Sequence, residues 1–350
     1  MILFLAFYAL LILVLIRGVY LNKPGKKNLV SQEGFTVLIP FKNEVDHIQG
    51  LLNSLRHVNL KNIDLELIFI SDYSQDQTEN FIREHLELPY KIIENKDTPG
   101  KKTALELGVA TASNPWIYTC DADCQLPPEL FQTILPYLGS SDLIAGPVLS
   151  FEPSSFQGFN LLSLACYSDG TAGLGQMHTI SAANLCYRKE AFMHLKPYAN
   201  NKDIASGDDL FLLQAFKQNK LKTTYLSTSQ NIVRTHNSPD LKSFIKQQRR
   251  WASKTSILPS FFNKLVALLI WTSNLMVVYY FTQAVLQEQW DSFFTVILTK
   301  SLIDYFYFRV YSLKIKEKIC LRNYLISSLI YPFFSALLGL ISLVPKKNWD

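Results

Sequence analysis

The sequence is poor in charged residues and lacks the glycine signatures of common nucleotide-binding folds. Asp, Glu, Lys and Arg make up 18% of the 350 residues, whereas soluble domains contain about 25%. No Gly-x-Gly-x-x-Gly follows a predicted strand and no P-loop occurs, which argues against a dinucleotide-binding Rossmann domain and a P-loop enzyme. The five cysteines do not form the two pairs typical of zinc sites, so we expect free thiols in a reducing compartment.

Apolar residues are abundant instead. They make up 48% of the chain, with 23 Phe and 17 Tyr, which excludes a disordered protein and predicts a part in water and a part in a membrane. The net charge of +5 comes with many Lys and Arg beside apolar segments. Membrane orientation explains this placement better than nucleic acid does, so we expect a membrane partner and no nucleic-acid partner.

Four apolar segments predict membrane helices. Residues 1–21 are read as an N-terminal anchor, because no basic stretch precedes them and no small-residue cleavage site follows them, as a signal peptide would require. Residues 265–344 are read as three further helices, at 265–286, 293–308 and 324–344. The middle one is the weakest, because it contains Lys300 and Asp304.

The charges of the loops predict the orientation. Residues 287–291 carry only acidic charge, whereas basic residues crowd residues 309–322 and precede residue 265. Basic loops stay on the cytoplasmic side, which predicts a multi-pass membrane protein with residues 30–256 in the cytoplasm. Lys346 and Lys347 then lie outside, against this rule.

Residues 30–256 alternate strand and helix patterns. Apolar strands are predicted at residues 35–40, 65–71 and 116–120, with helical spacing of apolar residues between them. This alternation predicts an α/β domain, a mostly parallel sheet with helices on both faces. In such sheets ligands bind at the carboxyl ends of the strands.

Carboxylates follow these strand ends. Glu44 comes after the first strand, Asp72 after the second, and Asp121 and Asp123 after the third. Acidic groups gathered at one edge repel unless a cation meets them, so we expect a divalent metal, Mg²⁺ or Mn²⁺, with hard oxygen ligands. Taken singly, an Asp-x-Asp is also compatible with a solvated turn, and Asp76 with a helix cap.

Six ordered motifs resemble family 2 glycosyltransferases of the GT-A fold. They lie at residues 37–44, 70–78, 100–105, 121–123, 207–212 and 247–251, the last containing a Gln-x-x-Arg-Trp. The sequence departs from the family at two points. Asp72 follows a serine where a double Asp is usual, and Asp208-Asp209 stands where Glu-Asp is usual, which leaves the role of Asp208 open.

The resemblance implies roles for individual residues. Asp209 is the expected general base, and Asp123 the metal ligand, with Asp121 assisting it or touching the ribose. The residues expected to bind the donor nucleotide or sugar are Pro40, Asn43, Glu44, Asp72, Lys101, Asp121, Asn184, Gln247, Arg250 and Trp251. Some of these residues have a simpler alternative: Lys101 as a solvated lysine, residues 207–209 as a helix cap, and Arg250 and Trp251 as ordinary juxtamembrane residues.

The function implied is transfer of a sugar with inversion. The donor is a nucleoside-diphosphate sugar, most commonly UDP-linked in this family, and the acceptor is lipid-linked or close to the membrane. Ceramide-glucosyltransferase-like enzymes resemble this layout most, while a processive polysaccharide synthase is the alternative. A nucleotidyltransferase is a more distant alternative, which gives the Gln-x-x-Arg-Trp motif no role. A transporter or scaffold that only binds nucleotide is another, for which three or four crossings with one Lys300/Asp304 pair are few.

Overall fold

The computed structural model describes residues 1–23, 25, 33–202, 204, 206–257 and 261–342. The predicted domain start at Val30 and the predicted end of the last helix at Val344 lie outside these residues. The chain forms two compact units. We call Asn22–Phe151 with Gly175–His236 the sheet unit, and Met1–Leu21 with Glu152–Leu174 and Asn237–Asp350 the helical unit. Residues 152–174 and the segment after Asn237 thus group with the apolar helices, whereas the sequence assigned both to the catalytic domain up to residue 256.

The chain has ten strands in its described part. They are β1 (Glu33–Phe41), β2 (Ile63–Ser71), β3 (Lys91–Glu94), β4 (Trp116–Thr119), β5 (Cys124–Gln125), β6 (Leu143–Ala145), β7 (Val148–Ser150), β8 (Leu185–Arg188), β9 (Thr223–Tyr225) and β10 (Val233–Thr235).

Twelve α-helices accompany them among the described residues. They are α1 (Ile2–Leu21), α2 (Ile48–Arg56), α3 (Thr78–His85), α4 (Lys101–Thr111), α5 (Leu130–Ile134), α6 (Phe156–Gly173), α7 (Lys189–Leu195), α8 (Asp208–Gln218), α9 (Leu241–Ile257), α10 (Phe261–Gln287), α11 (Asp291–Ile315) and α12 (Leu321–Ser342).

The main sheet has seven strands in the order β3-β2-β1-β4-β8-β6-β9. Strands β3, β2, β1 and β4 run parallel to one another, while β8 is antiparallel to both of its neighbours. This confirms the predicted α/β class with a mostly parallel sheet. The three predicted strands correspond to β1, β2 and β4. Helix α2 lies between β1 and β2, where the apolar residues show helical spacing.

Strand β1 is buried on both faces. Phe35, Val37, Leu38 and Ile39 have no measurable exposure. Helices cover both faces of parallel sheets, so such strands are continuous apolar runs rather than alternating patterns. This is why the run at residues 35–40 identifies a central strand.

Parallel pairing brings the ends of β1, β2 and β4 to one edge of the sheet. Phe41 pairs with Ser71, and the backbone N–H of Asp72 donates to the Phe41 carbonyl at 2.9 Å. On the other side of β1, Thr119 pairs with Leu38, and Cys120 N–H donates to the Leu38 carbonyl at 3.2 Å. The acidic residues that follow these strands therefore leave the sheet at the same edge.

A second sheet of three strands, in the order β5-β10-β7, was not predicted. Strand β5 begins directly after Asp123, and β10 pairs with it antiparallel, with Thr235 opposite Cys124. Strand β10 thereby places Thr235 beside the Asp121–Asp123 segment, although the two are over a hundred residues apart in sequence.

Three helices of the helical unit are long and apolar enough to cross a membrane by length and composition: Ile2–Leu21, Phe261–Gln287 and Leu321–Ile341. They correspond to the first, second and fourth predicted membrane segments. Helix α11 corresponds to the third, and it carries Lys300 and Asp304 as the sequence indicated.

Helices α1 and α6 approach closely within this unit. A methyl group added to Gly18 would lie 1.9 Å from the carbonyl oxygen of Gly170, so both positions need glycine for the backbones to meet. Nearby, Lys314 donates to both carboxylate oxygens of fully buried Asp169, at 2.7 and 3.0 Å, and to the Val19 carbonyl at 3.0 Å. One lysine thus joins α1, α6 and α11.

At the opposite edge of the main sheet from the acidic strand ends, Glu66 accepts several hydrogen bonds. Lys91 Nζ donates to Oε1 at 2.7 Å, and the Ser113 N–H and Thr36 hydroxyl donate to Oε2 at 2.7 and 2.6 Å. Burial alone would raise the pKa of Glu66, but these donors, with Lys91 the strongest, lower it to about 2. The ionised carboxylate therefore ties β1, β2 and β3 to the segment before β4.

This network predicts a pH-dependent contribution to stability. Because the pKa of Glu66 is depressed from its ordinary value of 4.5 to about 2, its ionised form stabilises the fold above pH about 4.5, and this stabilisation is lost as pH falls towards 2. We expect Glu66→Gln to destabilise the full chain in detergent by about 1 to 2 kcal/mol at pH 7. Denaturant unfolding at pH 7, 5, 4 and 3 should show the difference from wild type shrinking below pH 4.5.

Glu94→Gln is the matched control, because Glu94 is exposed and pairs only loosely with Lys96, at 3.5 Å. It should change stability little at any of these pH values. A Glu66→Gln effect that stays constant from pH 7 to pH 3 would contradict the role of the carboxylate charge.

Candidate functional site

Five carboxylates of the sheet unit lie at the strand-end edge and around the start of α8. We call them the acidic rim: Glu44, Asp121, Asp123, Asp208 and Asp209. The structure brings them within electrostatic range of one another or of Lys101, since Asp121 and Asp123 act on Glu44, and Asp121, Asp208 and Asp209 act on Lys101. The sequence predicted that Glu44, Asp72, Asp121 and Asp123 gather at this edge and, by resemblance, placed Asp209 on the acceptor side.

Asp123 is held by its neighbours on β5 and β10. The Thr235 hydroxyl donates to Oδ2 at 3.1 Å, and the Cys124 thiol donates to Oδ1 at 3.4 Å. Removal from water, and then the charge of Asp121, raise the pKa of Asp123 above its ordinary value. Burial therefore disfavours the ionised form of Asp123, and the neighbouring carboxylate adds to this effect.

The pKa of Glu44 is raised by the same causes. Burial and the charges of Asp123 and Asp121 raise its pKa to about 7, although His47 at 3.2 Å opposes the shift. The Glu44 backbone N–H donates to the Thr78 hydroxyl at 2.9 Å, which connects the loop after β1 to the start of α3. Close to neutral pH, Glu44 is therefore present in both its charged and neutral forms.

Lys101, in the first turn of α4, supplies a cation to the rim. Its Nζ donates to Asp121 Oδ1 in a short hydrogen bond and lies 3.6 Å from Asp208 Oδ2. Burial would lower the pKa of this lysine, but the charges of Asp121 and Asp208 outweigh burial and raise it above its usual range. Lys101 is thus a fully charged ammonium between the strand-end acids and the start of α8, and not a solvated surface lysine.

Asp72 is buried, at 8% exposure, and one of its oxygens is fixed. Asn95 Nδ2 donates to Oδ1 at 2.8 Å, and the backbone N–H of Gly100 donates to the same oxygen at 3.0 Å. Gly100 has φ +150°, a conformation that other residues adopt only with strain, so glycine is required directly before α4. The predicted donor-binding residue Asp72 is therefore oriented by two groups, of which the sequence had singled out neither individually.

The end of β1 and the loop after it contain Pro40, Asn43 and Glu44. Pro40 lies within β1 opposite Ile70, and Asn43 has φ +58°. Asn43 Oδ1 accepts a hydrogen bond from the Gln75 N–H at 2.8 Å, which links this loop to the one after β2. These contacts position the loop that leads to Glu44.

Asp76 connects the same two loops. Its Oδ1 accepts from the Thr78 N–H at 3.0 Å at the start of α3, and its Oδ2 accepts from the Val45 N–H at 3.1 Å. These contacts show the helix-capping role that was the simpler alternative for Asp76.

Asn184 lies in the interior of the sheet unit, with 1% exposure. Its Nδ2 donates to the carbonyls of Pro147 and Asn231 at 3.0 and 2.7 Å, and its Oδ1 accepts from the Tyr118 hydroxyl at 3.1 Å. Buried amides that bond on both sides hold segments together, so this environment suits a structural role for Asn184.

Helix α8 begins with the two acids of the acceptor motif. Gly207 precedes it with φ +91°, and Asp209 Oδ1 accepts a hydrogen bond from the Leu210 N–H at 2.8 Å. Asp208 is 8% exposed, and its carbonyl accepts from the Tyr198 hydroxyl at 3.2 Å. The acids thus stand in the first turn of a helix, where the positive end of the helix dipole stabilises negative charge.

Gln247, Arg250 and Trp251 lie on α9 in the helical unit. Gln247 Oε1 accepts from the Ser238 hydroxyl at 3.5 Å, just before the helix begins. Phe244, one turn earlier, stacks on Phe334 of α12 with ring centroids 5.3 Å apart. Packing within the helical unit therefore fixes the helix that carries this motif.

Lys102, which the sequence did not single out, anchors the loop that leads to α8. Its side chain is 6% exposed, and Nζ donates to the Asn201 carbonyl, Asn201 Oδ1 and the Ile204 carbonyl at 2.7, 2.8 and 2.8 Å. The ammonium also lies 4.3 Å from the ring centroid of Phe211 on α8. No motif in the sequence signals these contacts, because they join residues about a hundred positions apart.

The acidic rim suits a hard divalent cation shared with a ligand. Among the described residues no three His, Cys, Asp or Glu side chains converge closely enough to hold a metal ion by themselves. Asp121 and Asp123 offer carboxylate oxygens, which Mg²⁺ and Mn²⁺ prefer. A pair of carboxylates with the remaining positions left to phosphates and water is the usual arrangement for Mg²⁺.

Comparisons with known proteins agree with this geometry. The model "Glycosyl transferase family 2" matches residues 36–195, and "Glycosyl transferase family group 2" matches residues 116–343. Poly-beta-1,6-N-acetyl-D-glucosamine synthase of Staphylococcus aureus is 27% identical over 194 residues, which cover 49% of this chain and 43% of that protein. Dolichol-phosphate mannosyltransferase of Pyrococcus furiosus is 27% identical over 113 residues, 32% of each chain. The chain thus matches less than half the length of these relatives.

Among solved structures, the mannosyltransferase PcManGT from Pyrobaculum calidifontis, in complex with GDP-Man and Mn²⁺, is similar with a TM-score of 0.55. It is 13% identical, and the match covers 94% of this chain and 95% of that one. The fold is that of the GT-A glycosyltransferases, as predicted. Because one family model spans more than half of the chain, the protein belongs to glycosyltransferase family 2, related to polysaccharide synthases and mannosyltransferases.

The anchoring role of Lys102 can be tested by limited proteolysis. Lys102→Met leaves three carbonyl oxygens without their ammonium donor, a loss of about 2 kcal/mol in local stability. We expect cleavage between residues 196 and 206 to become roughly 30-fold faster, because cleavage follows the open population of the loop. The rate is measured on the full chain in detergent from the time course of fragment formation, with the fragments identified by mass spectrometry.

Lys202→Met is the matched control in the same loop. Lys202 is exposed and pairs with Glu106 of α4 at 3.1 Å, so its loss should change the cleavage rate only slightly. Equal cleavage rates in the Lys102→Met and Lys202→Met proteins would exclude the anchoring role.

Proposed function

We propose that the protein is a membrane-bound, metal-dependent, inverting glycosyltransferase. It moves a sugar from a nucleoside-diphosphate sugar, in the first place a UDP-sugar, to a lipid-linked or membrane-proximal acceptor. The observation that carries this proposal is the acidic rim around Lys101, where the carboxylates of the donor motif and of the acceptor motif face one ammonium group. Family membership supports the reaction class.

The donor nucleotide is assigned to the edge formed by β1 and β2. Because both hydrogen-bond donors of Asp72 hold its Oδ1, the second oxygen is the one we assign to the base. A carboxylate selects bases with a ring N–H, namely uracil, thymine and guanine, over cytosine and adenine. UDP, dTDP and GDP sugars are therefore the donors to test.

The diphosphate is assigned to Asp121, Asp123 and Lys101. Asp123, assisted by Asp121, would hold Mg²⁺ or Mn²⁺, which when bound neutralises the charge that grows on the departing diphosphate. PcManGT, the similar structure, is in complex with Mn²⁺ and GDP-Man, which supports this assignment. Thr235 and Cys124 keep the Asp123 carboxylate in place through their hydrogen bonds.

Asp209 is assigned as the base that takes the proton from the attacking hydroxyl of the acceptor. Asp209 acts electrostatically on Lys101, which also contacts the donor-side Asp121, so acceptor and donor groups lie around the same ammonium. Attack from the side opposite the leaving group inverts the anomeric carbon, so an α-linked donor gives a β-linked product. No covalent sugar–enzyme intermediate is needed.

A processive polysaccharide synthase is the second candidate, because the matched Staphylococcus aureus relative carries that name. Product length separates the candidates, since one transfer adds a single sugar and a synthase makes a polymer. A nucleotidyltransferase would release pyrophosphate instead of a nucleoside diphosphate.

The reaction class and donor can be measured together. Membranes that contain the full chain are incubated with UDP-, GDP- and dTDP-sugars, and release of the nucleoside diphosphate is followed with and without EDTA. We expect turnover of one donor, lost with EDTA and restored by Mg²⁺ or Mn²⁺. Asp123→Asn should lower the rate by about 10²- to 10³-fold, as loss of one electrostatic group at a reacting centre does.

Asp64→Asn is the matched control, because Asp64 is exposed near the start of β2, at the other edge of the sheet. It should leave the rate unchanged. Full turnover in the presence of EDTA would refute the metal assignment, and release of pyrophosphate would refute glycosyl transfer.

The proposed orientation, with the catalytic unit in the cytoplasm and four membrane crossings, can be tested with the natural cysteines. Cys320, between α11 and α12, is exposed, whereas the other four cysteines are buried. We expect a membrane-impermeant maleimide to label Cys320 in inside-out vesicles and not in intact cells.

In a Cys320→Ser background, Gln289→Cys, between α10 and α11, should show the opposite pattern, since Gln289 is exposed in the loop with acidic charge. Labelling of both positions from the same side would rule out a crossing by α11. Labelling of Cys320 in intact cells would reverse the orientation.

A further inference from the structure

Lys101 lies next to carboxylates of the acidic rim from both the donor motif and the acceptor motif. Its Nζ contacts Asp121, which belongs to the donor motif, and lies 3.6 Å from Asp208, which belongs to the acceptor motif. The side chain is one-third exposed, and the Asp121 side chain is 38% exposed, so a ligand can reach this ion pair from solvent. The lysine therefore occupies a place where a donor diphosphate and its cation are expected to bind.

The contact with Asp121 limits metal binding. Each Asp121 oxygen that accepts a hydrogen bond from an ammonium is less available to a second cation, and two cations close together repel each other. A divalent ion that enters alone therefore competes with Lys101 for Asp121. A diphosphate that binds together with the ion brings negative charge, and its oxygens can form an ion pair with the released ammonium.

We infer that Lys101 is an internal counter-ion of Asp121 that competes with the divalent cation and yields to the metal–diphosphate. This inference rests on the proposed function. Binding of the nucleotide with its cation would release Asp121 from the ammonium, which would then be free to pair with the phosphates. Lys101 therefore makes metal binding depend on nucleotide binding, and it is a positioning residue toward the metal.

One variant should change the affinities for Mn²⁺ and for the nucleoside diphosphate in opposite directions. Lys101→Met removes the competing ammonium, so Mn²⁺ should bind the nucleotide-free protein more tightly. The same change removes a positive charge from the diphosphate site, so the nucleoside diphosphate should bind more weakly. A lysine that only stabilised the fold would lower both affinities, and a solvated lysine would change neither.

The test is Mn²⁺ binding to the purified full chain in detergent, followed by electron paramagnetic resonance without nucleotide and with UDP or GDP. In the wild type we expect nucleotide to strengthen Mn²⁺ binding by about 10- to 100-fold. In Lys101→Met we expect Mn²⁺ alone to bind about tenfold more tightly and the strengthening by nucleotide to fall to a few-fold. Unchanged or weaker binding of Mn²⁺ alone in Lys101→Met would overturn the inference.

Three further variants keep the test decisive. Lys101→Arg retains the positive charge and should bind Mn²⁺ alone as weakly as the wild type, whereas Lys101→Gln should behave like Lys101→Met and serves if the methionine variant fails to fold. Lys202→Met removes a lysine that pairs with the same helix, α4, through Glu106, and should leave Mn²⁺ binding unchanged. If Lys202→Met also bound Mn²⁺ more tightly, the loss of one positive charge anywhere on the protein would explain the effect, and the inference would be overturned.

Failure of the inference and failure of the proposed function give different results. If wild-type protein binds neither UDP nor GDP in the presence of Mn²⁺, the proposed function fails for these donors, and the titration of Mn²⁺ alone still decides on Lys101. If wild-type protein binds nucleotide with Mn²⁺ but Lys101→Met binds Mn²⁺ alone as the wild type does, the proposed function stands and the counter-ion role falls.

Discussion

Mutual repulsion of carboxylates at one edge of a parallel sheet is the constraint on which the site depends. The strands β1, β2 and β4 must run side by side to be buried, and this arrangement sends the segments after them to the same edge. Burial first, and then the neighbouring carboxylates, raise the pKa values of Glu44 and Asp123, so negative charge at this edge is disfavoured. The sheet unit offsets part of this negative charge with Lys101, and we assign the remainder to a divalent cation and its nucleotide.

The first turn of α4 connects the separate parts of the site. The N–H of Gly100 orients Asp72, Lys101 contacts Asp121 and Asp208, and Lys102 holds the loop before α8. Three consecutive residues thus reach the parts of the site that we assign to the base, to the diphosphate and to the acceptor. A shift of this turn would change the contacts of Gly100, Lys101 and Lys102 together. This explains why a glycine and two lysines occur next to one another there.

The sequence was most informative where one physical rule decides the structure. Buried runs predicted β1, β2 and β4, and the rule that ligands meet the carboxyl ends of parallel strands predicted that Glu44, Asp121 and Asp123 lie together. The contacts of Thr235 with Asp123 and of Lys102 with Asn201 could not be predicted, because each joins segments about a hundred residues apart in sequence. The antiparallel strand β8 was also out of reach, since a short buried strand shows no sign of its direction.

The helical unit shows how an apolar helix tolerates ionisable residues. Lys300 Nζ donates to Asp304 Oδ2 at 2.7 Å one turn away, the Tyr8 hydroxyl of α1 donates to Asp304 Oδ1 at 2.5 Å, and Lys300 lies 5.4 Å from the Tyr8 ring centroid. The pair is neutral as a whole, and α1 shields it, since Lys300 is only 4% exposed. Charges at membrane depth are tolerated when they pair and face protein. Contacts between α1 and α11 thus satisfy the two residues that made residues 293–308 the weakest predicted crossing, although α11 is not among the described helices that are long and apolar enough to cross a membrane.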